Sequence, residues 1–235
     1  MVKFSIIIPL FNHKHRISTI IEALEKQTYK DFEVHFCDDK SKDGTKEFFK
    51  TLKQPSFPYK YHRRKWRHGM VIARNINQGV YKAKGEYCLI VMGDSYLHPL
   101  HLEILSHFTN SKTVLCGVRH QIDSKTNMVV DIDYRIKGGL VPNQVAILAV
   151  NPYDKITGNG LCIPTKALKK VGGWFKIQGY GGDDNILAAK LYAKGYVFYS
   201  IPSAIIYHYH HGFSFPTNKQ IKYVKRKIKK ICFGS

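Results

Sequence analysis

Acid is what this chain has least of. Its 235 residues hold 17 Asp and Glu against 37 Lys and Arg, a formal charge of +20. The shortage is also uneven: residues 1–50 are close to balanced, 48–85 contain no acid against ten basic residues, and beyond Asp184 there is again no acid against nine. Two such blocks attract polyanions, whether nucleic acid, anionic lipid or a nucleotide pyrophosphate. The plainer alternative is a lysine-rich surface kept for solubility. Long apolar runs are missing too. The stretches 5–11, 87–92 and 146–150 fall far short of the ~20 residues of a membrane-spanning helix. Met1-Val2-Lys3 leads into a strand-like run with no cleavage-site pattern, so a soluble, cytoplasmic protein without a transmembrane segment is expected. The five cysteines are odd in number and show no CxxC spacing, which argues against a disulfide framework or a zinc cluster and for reduced core residues.

What remains is a chain of one-domain length with strand and helix patterns in alternation. A continuous apolar run predicts a strand over 4–10, and further strands are predicted over 32–37, 59–62 and 86–92; apolar residues at helical spacing predict a helix over 15–27, and further helices are predicted over 43–52 and 70–83, with Ser41 or Asp43 capping the second. This β-α-β-α-β-α-β series implies a mostly parallel sheet covered on both faces. Further on, helices are predicted over 99–109, 165–171, 183–194 and 218–232. Strands are predicted over 113–118, 161–164, 196–199 and 204–209, with mixed strands and loops over 128–149.

Against this background the placement of the scarce carboxylates is informative. Asp38-Asp39 follows the second strand, Asp94 follows the fourth, and Asp183-Asp184 follows Gly181-Gly182. Adjacent carboxylates repel and resist leaving water, so pairs at strand ends point to a site. In open α/β sheets ligands gather at those carboxyl ends.

In order along the chain stand Ile6-Ile7-Ile8-Pro9-Leu10-Phe11-Asn12, Asp38-Asp39-Lys40-Ser41-Lys42-Asp43-Gly44-Thr45, Ala73-Arg74-Asn75, Lys84-Gly85-Glu86-Tyr87, Gly93-Asp94-Ser95 with Pro99, Gly172-Gly173-Trp174, Gly181-Gly182-Asp183-Asp184 with Leu187, and His208. This ordered set resembles the nucleotide-sugar-dependent glycosyltransferases of the A-type fold, in particular the inverting family 2 and its relatives with a Gly-Gly-Glu-Asp motif. The resemblance implies a Rossmann-like α/β/α sandwich around a mixed, mostly parallel sheet. It implies one transferase domain over 1–212, with a nucleotide-sugar half (1–95) and an acceptor half (96–212), followed by a basic helix in 213–235.

By the same resemblance, Asp39 reads the base of a UDP-sugar in a pocket with Asp38, Pro9, Phe11 and Ser41, although one of the two aspartates can equally cap a helix. Arg74 either neutralises pyrophosphate or is a solvated helix residue. Gly93 and Asp94 match the end of the DxD motif that holds a divalent cation, Mn²⁺ or Mg²⁺, against the diphosphate. Here Met92 replaces the first acid, which weakens the metal site; His208 and His210 are candidate additional ligands. Asp184 is implied as the base that deprotonates the acceptor, and Asp183 as an acceptor-binding carboxylate beside Gly182, both also placed as plain helix caps. Trp174 and Tyr180 either stack on the acceptor or belong to the core.

For the acceptor, the run His62-Arg63-Arg64-Lys65-Trp66-Arg67-His68 looks like a phosphate-contacting surface. It favours a polyanionic acceptor, with hydroxymethylated pyrimidine in DNA placed ahead of a lipid-linked surface glycan. The glycan reading draws on an apolar stripe, Ile221, Val224, Ile228 and Ile231, set among lysines on the last helix, which suits an anionic membrane. A non-catalytic nucleic-acid-binding protein on the same fold is the third reading, motivated by Met92.

Overall fold

The computed structural model describes residues 2–65, 72–133, 146–149, 157–177, 181–210 and 217–234. Its first half is the expected parallel series. Strand β1 (Phe4–Leu10) lies between β2 (Phe32–Asp38) and β4 (Tyr87–Ile90), and β3 (Tyr59–Arg63) extends the edge beyond β2. Alternation along each strand feeds two cores. Phe4, Ile6, Ile8 and Leu10 face α1 (Lys14–Glu25) and α2 (Thr45–Thr51). Ile7, with Cys88 and Ile90, faces α3 (Ile72–Val80). Burying each such Ile or Leu is worth about 1.5–3 kcal/mol, so these continuous runs are affordable only as interior strands. Gly79 lets α3 settle on the sheet, since a Cβ there would lie 2.8 Å from Ile7 Cγ2 and 2.9 Å from Cys37 Sγ.

The second half departs from a parallel sheet. The strand order is β3-β2-β1-β4-β9-β6-β10-β5. Here β9 (Leu161–Pro164) is antiparallel to both β4 and β6 (Thr113–Ile122), while β6 and β10 (Val197–Tyr209) are parallel. Strand β10 replaces the two separate strands predicted over 196–209. A register shift between Ile201 and Ile205 absorbs Pro202 without ending the strand, as a bulge permits. Strand β5 (Ser95–Leu97), antiparallel to β10, was not predicted, and β7 (Val129–Asp133), antiparallel to β6, falls in the segment 128–149 expected to mix strands and loops. A third short strand, β8 (Ile147–Leu148), pairs with β10 within the same segment. Helix α4 (His101–Phe108) joins the first core; α5 (Thr165–Lys170) and α6 (Asp183–Tyr192) join the second. Four of the five cysteines are buried and all are free, in keeping with their reading as core residues.

Helix α7 (Asn218–Phe233) begins in a capping box between Thr217 and Gln220 and packs on α6. Its apolar stripe is therefore not offered to a membrane. Ile228, Val224 and Ile231 pack with Ile186 and Ala189 of α6, and Ile221 alone of the four is left exposed. Among the described residues no helix is long and apolar enough to cross a membrane.

A buried polar chain runs through the sheet edge. Glu33 Oε1 accepts from Ser5 Oγ and the Lys84 amide and lies 3.2 Å from His35 Nε2. His35 Nδ1 meets His62 Nε2 at 2.9 Å, and His62 Nδ1 meets Lys82 Nζ at 3.3 Å.

Candidate active site

The register that pairs Leu10 with Asp38 and Asp38 with Arg63 brings three strand ends level. Asp38 and Asp39 have separate duties there. The Asp38 carboxylate is buried and accepts from the Ser41 amide (2.9 Å), Ser41 Oγ (2.5 Å), Tyr61 Oη (2.6 Å) and Arg63 Nε (3.0 Å). Those four donors satisfy its two oxygens, so Asp38 ties β2 to β3 and to its own turn. It acts as a turn anchor. Asp39 accepts from Arg64 at 2.8 Å, and its amide donates to the Leu10 carbonyl at the end of β1. Ser41 Oγ also accepts the Asn12 amide, and Asn12 Oδ1 accepts the Lys42 amide, which locks the β1–α1 and β2–α2 loops together. Asp43 joins them by accepting from Lys14 and Thr45; Gly44, rather than Ser41 or Asp43, occupies the cap position of α2. Pro9 is buried in β1 and Phe11 is half-buried just beyond it.

The turn after β4 carries Gly93 and Asp94. A side chain at Gly93 would strike His13 Nδ1 (2.5 Å) and the Pro9 carbonyl (2.7 Å), so glycine is what lets this turn lie against the first loop. Burial lowers the His13 pKa, with the charge of Asp94 pulling the other way. Asp94 Oδ2 faces His208 Nε2 at 3.5 Å, and His208 Nδ1 lies 2.9 Å from Gln121 Oε1 on β6. An amide oxygen accepts, so His208 Nδ1 donates to Gln121 and Nε2 is the ring atom facing Asp94. His210 lies one residue past β10, exposed, with its amide bonded to Ile122 O. Met92 spends its amide on Asn159 Oδ1 (3.1 Å), and Asn159 Nδ2 donates to Ser95 Oγ (2.8 Å). Among the described residues no three His, Cys, Asp or Glu side chains group to hold a metal. Asp94 and His208 fit a cation that draws its other oxygen ligands from a diphosphate and water, as Mg²⁺ commonly does.

Residue Gly158, next to Asn159, reaches the second carboxylate pair. Its amide donates to Asp184 Oδ2 at 2.9 Å, and a Cβ on it would lie 2.8 Å from Trp174 Cζ2. Both aspartates open α6 behind Gly182, whose φ of +90° is left-handed. Asp183 accepts from Trp174 Nε1 at 2.7 Å; burial raises its carboxyl pKa, and the Trp174 bond works against that rise. Trp174 is almost wholly buried, so its ring does not stack on a sugar. Its amide and carbonyl are instead held by Asn77 Oδ1 (2.7 Å) and Nδ2 (2.9 Å). Arg74 sits half-buried on α3. Tyr180, His211 and the run Trp66–Arg67–His68 lie outside the described residues.

The model of the glycosyl transferase family 2 matches residues 5–160, which include Asp38, Asp39, Asp94 and Asn159. The chain belongs to glycosyl transferase family 2. Asp183 and Asp184 lie beyond the matched segment of this family 2 chain. Chondroitin synthase of Escherichia coli is 26% identical over 239 residues, covering 87% of this chain and 34% of that protein. The poly(ribitol-phosphate) beta-glucosyltransferase of Bacillus spizizenii is 32% identical over 179 residues, covering 66% of this chain and 27% of that one. The family 2 chain thus spans about a third of the length of these two relatives. The structure of S. aureus TarS 1–349 in complex with UDP-GlcNAc superposes with a TM-score of 0.76 at 19% identity, over 97% of this chain and 66% of that one. The A-type fold read from the motifs is therefore the fold observed.

Sequence reasoning passed over Gln121, Asn159, Asn77 and His13. The first three orient a motif residue from a distant element, while His13 packs against the Gly93 turn. Of these, Asn159 alone carried a local signal, the flanking Gly158 and Gly160 of a tight turn.

Proposed function

We propose that this family 2 chain is an inverting glycosyltransferase that moves a hexose from a UDP-sugar to a hydroxyl of a phosphate-bearing surface glycan. One observation carries the reading. The adjacent residues Gly158 and Asn159 tie Asp184 on one side and the Met92–Ser95 turn on the other into a single rim, so the implied base and the implied diphosphate site share one cleft. In the transfer, the acceptor oxygen attacks the anomeric carbon, its proton passes to Asp184, and the bond from that carbon to the diphosphate oxygen breaks with UDP leaving. The Gly158 amide orients Asp184 for that proton, at a helix N-terminus that favours an anionic carboxylate. Asp183, fixed by Trp174, binds an acceptor hydroxyl beside Gly182. Asp39, Pro9, Phe11 and Ser41 line the nucleoside pocket, with Arg74 and Gly93 toward the diphosphate. A bound Mn²⁺ or Mg²⁺ at Asp94 and His208, with His210 close in sequence, would supply charge neutralisation of the leaving group.

The acceptor is chosen on charge commitments. Arg63 and Arg64, the centre of the run that suggested a DNA surface, are spent on Asp38 and Asp39, and His62 is buried against His35. The similar poly(ribitol-phosphate) transferase acts, by its name, on a phosphate polymer rather than on DNA. Labelled UDP-glucose and UDP-GlcNAc should be offered with Mn²⁺ to ribitol-phosphate oligomers, lipid-diphosphate-linked glycans and hydroxymethylcytosine DNA. Label entering either of the first two supports the proposal. Label in DNA alone, or no UDP release with any acceptor, overturns it.

A further inference from the structure

The apolar stripe of α7 is spent on α6, and the opposite face of the helix is left to solvent. Lys219, Lys222, Lys225, Arg226, Lys229 and Lys230 are all exposed there, and at helical spacing they spread over more than a third of the circumference. The helix contains no acid, and among the described residues no carboxylate pairs with any of the six. Lys222 stands one turn from Lys225 and Arg226, and Arg226 one turn from Lys229 and Lys230, so like charges crowd at the spacings where they weaken a helix. Lys219 adds a cation to a first turn without acid, against the helix dipole. Solubility is served by both signs interspersed. A face of one sign, kept at a cost to its own helix, calls for an external anion.

The same face says which anion. Lys222, Arg226 and Lys229 form a row, and Phe233 stands at its end, 68% exposed. Ile221 lies at the edge of the face near the first turn, 37% exposed. A soluble phosphate chain has no use for either apolar side chain, and a convex helix offers it no groove. A bilayer surface takes both kinds of group: the cations meet headgroups through flexible stems, and an aromatic ring enters the acyl boundary beside them. We infer that the outer face of α7 docks this chain on a membrane surface rich in anionic headgroups, with α6 on the far side of the helix. The contact is made by the charged face and its flanking Phe233 and Ile221, not by the stripe packed on α6. Val224, on the inner side of α7, backs Gly182, so a docked helix holds the Asp183–Asp184 turn about one helix diameter, ~10 Å, from the lipid. The inference goes beyond the proposed function and stands apart from it, since docking needs neither donor nor acceptor.

The test is co-sedimentation of the full chain with mixed phosphatidylglycerol and phosphatidylcholine vesicles, against vesicles of phosphatidylcholine alone. Binding should be confined to the anionic vesicles and should be released as salt rises. The triple variant Lys222→Gln/Arg226→Gln/Lys229→Gln should bind them at least about tenfold more weakly. Its UDP affinity should be unchanged and its thermal midpoint no lower than wild type, because neutralisation relieves repulsion within α7. Phe233→Ser should weaken vesicle binding several-fold and leave binding to duplex DNA as it was. Wild type that does not sediment with the anionic vesicles, or a triple variant that sediments as well as wild type, overturns the docking face. So does a soluble polyanion in its place: duplex DNA or a ribitol-phosphate hexamer displacing wild type from the vesicles and losing as much in the triple variant, with Phe233→Ser without effect.

Discussion

Val224 of the C-terminal helix fills the space that a side chain on Gly182 would occupy, its Cγ2 meeting the position of the absent Cβ. The turn that presents Asp183 and Asp184 is thus backed by a helix more than 30 residues later in the chain. Gly182→Ala meets two obstacles, the contact with Val224 and a φ of +90° that an L side chain rarely adopts. We expect a stability loss of about 1–3 kcal/mol by thermal unfolding and a fall in sugar transfer larger than any change in UDP affinity. Adding Val224→Ala should recover the steric part of the loss and leave the backbone part.

Asp184→Asn should reduce transfer by about 10²–10⁴, the usual worth of a positioned base, while UDP-sugar binding by calorimetry stays near wild type. The substitution keeps one oxygen for the Gly158 amide and gives up only the local bond from the Asn185 amide, so the tie to the Gly158 turn is retained. Turnover within a few-fold of wild type would remove Asp184 from the role of base.

Asp38 and Asp39 should part company under the same substitution. Asp38→Asn removes the charge from a buried carboxylate that holds Arg63, Tyr61 and Ser41, and should cost about 3 kcal/mol in urea unfolding. Asp39→Asn should cost less stability and more UDP affinity. Equal effects of the two on both measurements would show that the division of labour is wrong.

That division was hidden in the sequence. Two adjacent aspartates after an apolar run look alike until the strand register sends Asp38 toward Tyr61 and toward Arg63, which a local reading assigned to a basic surface. The parallel half was legible because runs such as Phe4–Leu10 and Phe32–Asp38 can be nothing but interior strands. The second half was less so. Strand β10 hides its continuity behind Pro202, β5 is too short to show a period, and the stripe on α7 was visible but not what it packs against. An apolar stripe states that something covers it; Ile186 and Ala189 of α6 do so here, and no membrane is needed.

Gln121 should matter to the cation although it does not face Asp94. Holding His208 Nδ1 at 2.9 Å fixes the tautomer that presents Nε2. Gln121→Leu should raise the Mn²⁺ concentration for half-maximal UDP binding about 10–100-fold, as loss of an outer-shell partner does, and His208→Ala should raise it at least as far. If neither variant moves the Mn²⁺ midpoint, His208 is not a metal ligand.

Stability should fall as the medium is acidified from neutrality, and histidines should drive it. Burial drives the pKa of His62 down to about 4, with Lys82, His35 and Lys60 adding to the drop and Glu33 opposing it. His101, buried with Nδ1 on the Ile205 carbonyl, is likewise lowered to about 4. In the unfolded chain both take up protons near pH 6.5, so between about 6.5 and 4 the unfolded state binds more protons than the folded one. Each histidine then contributes a slope of up to about 1.4 kcal/mol per pH unit, with stability rising as pH rises, and no slope above the unfolded value. Asp183 acts in the opposite sense, since its raised carboxyl favours the folded state as pH falls through the carboxylate range. Urea unfolding from pH 7.5 to 4.5 should show the histidine slope dominating its upper part. His62→Gln, which cannot take up a proton, should flatten that part; an unaltered slope would mean that His62 remains able to protonate within the fold.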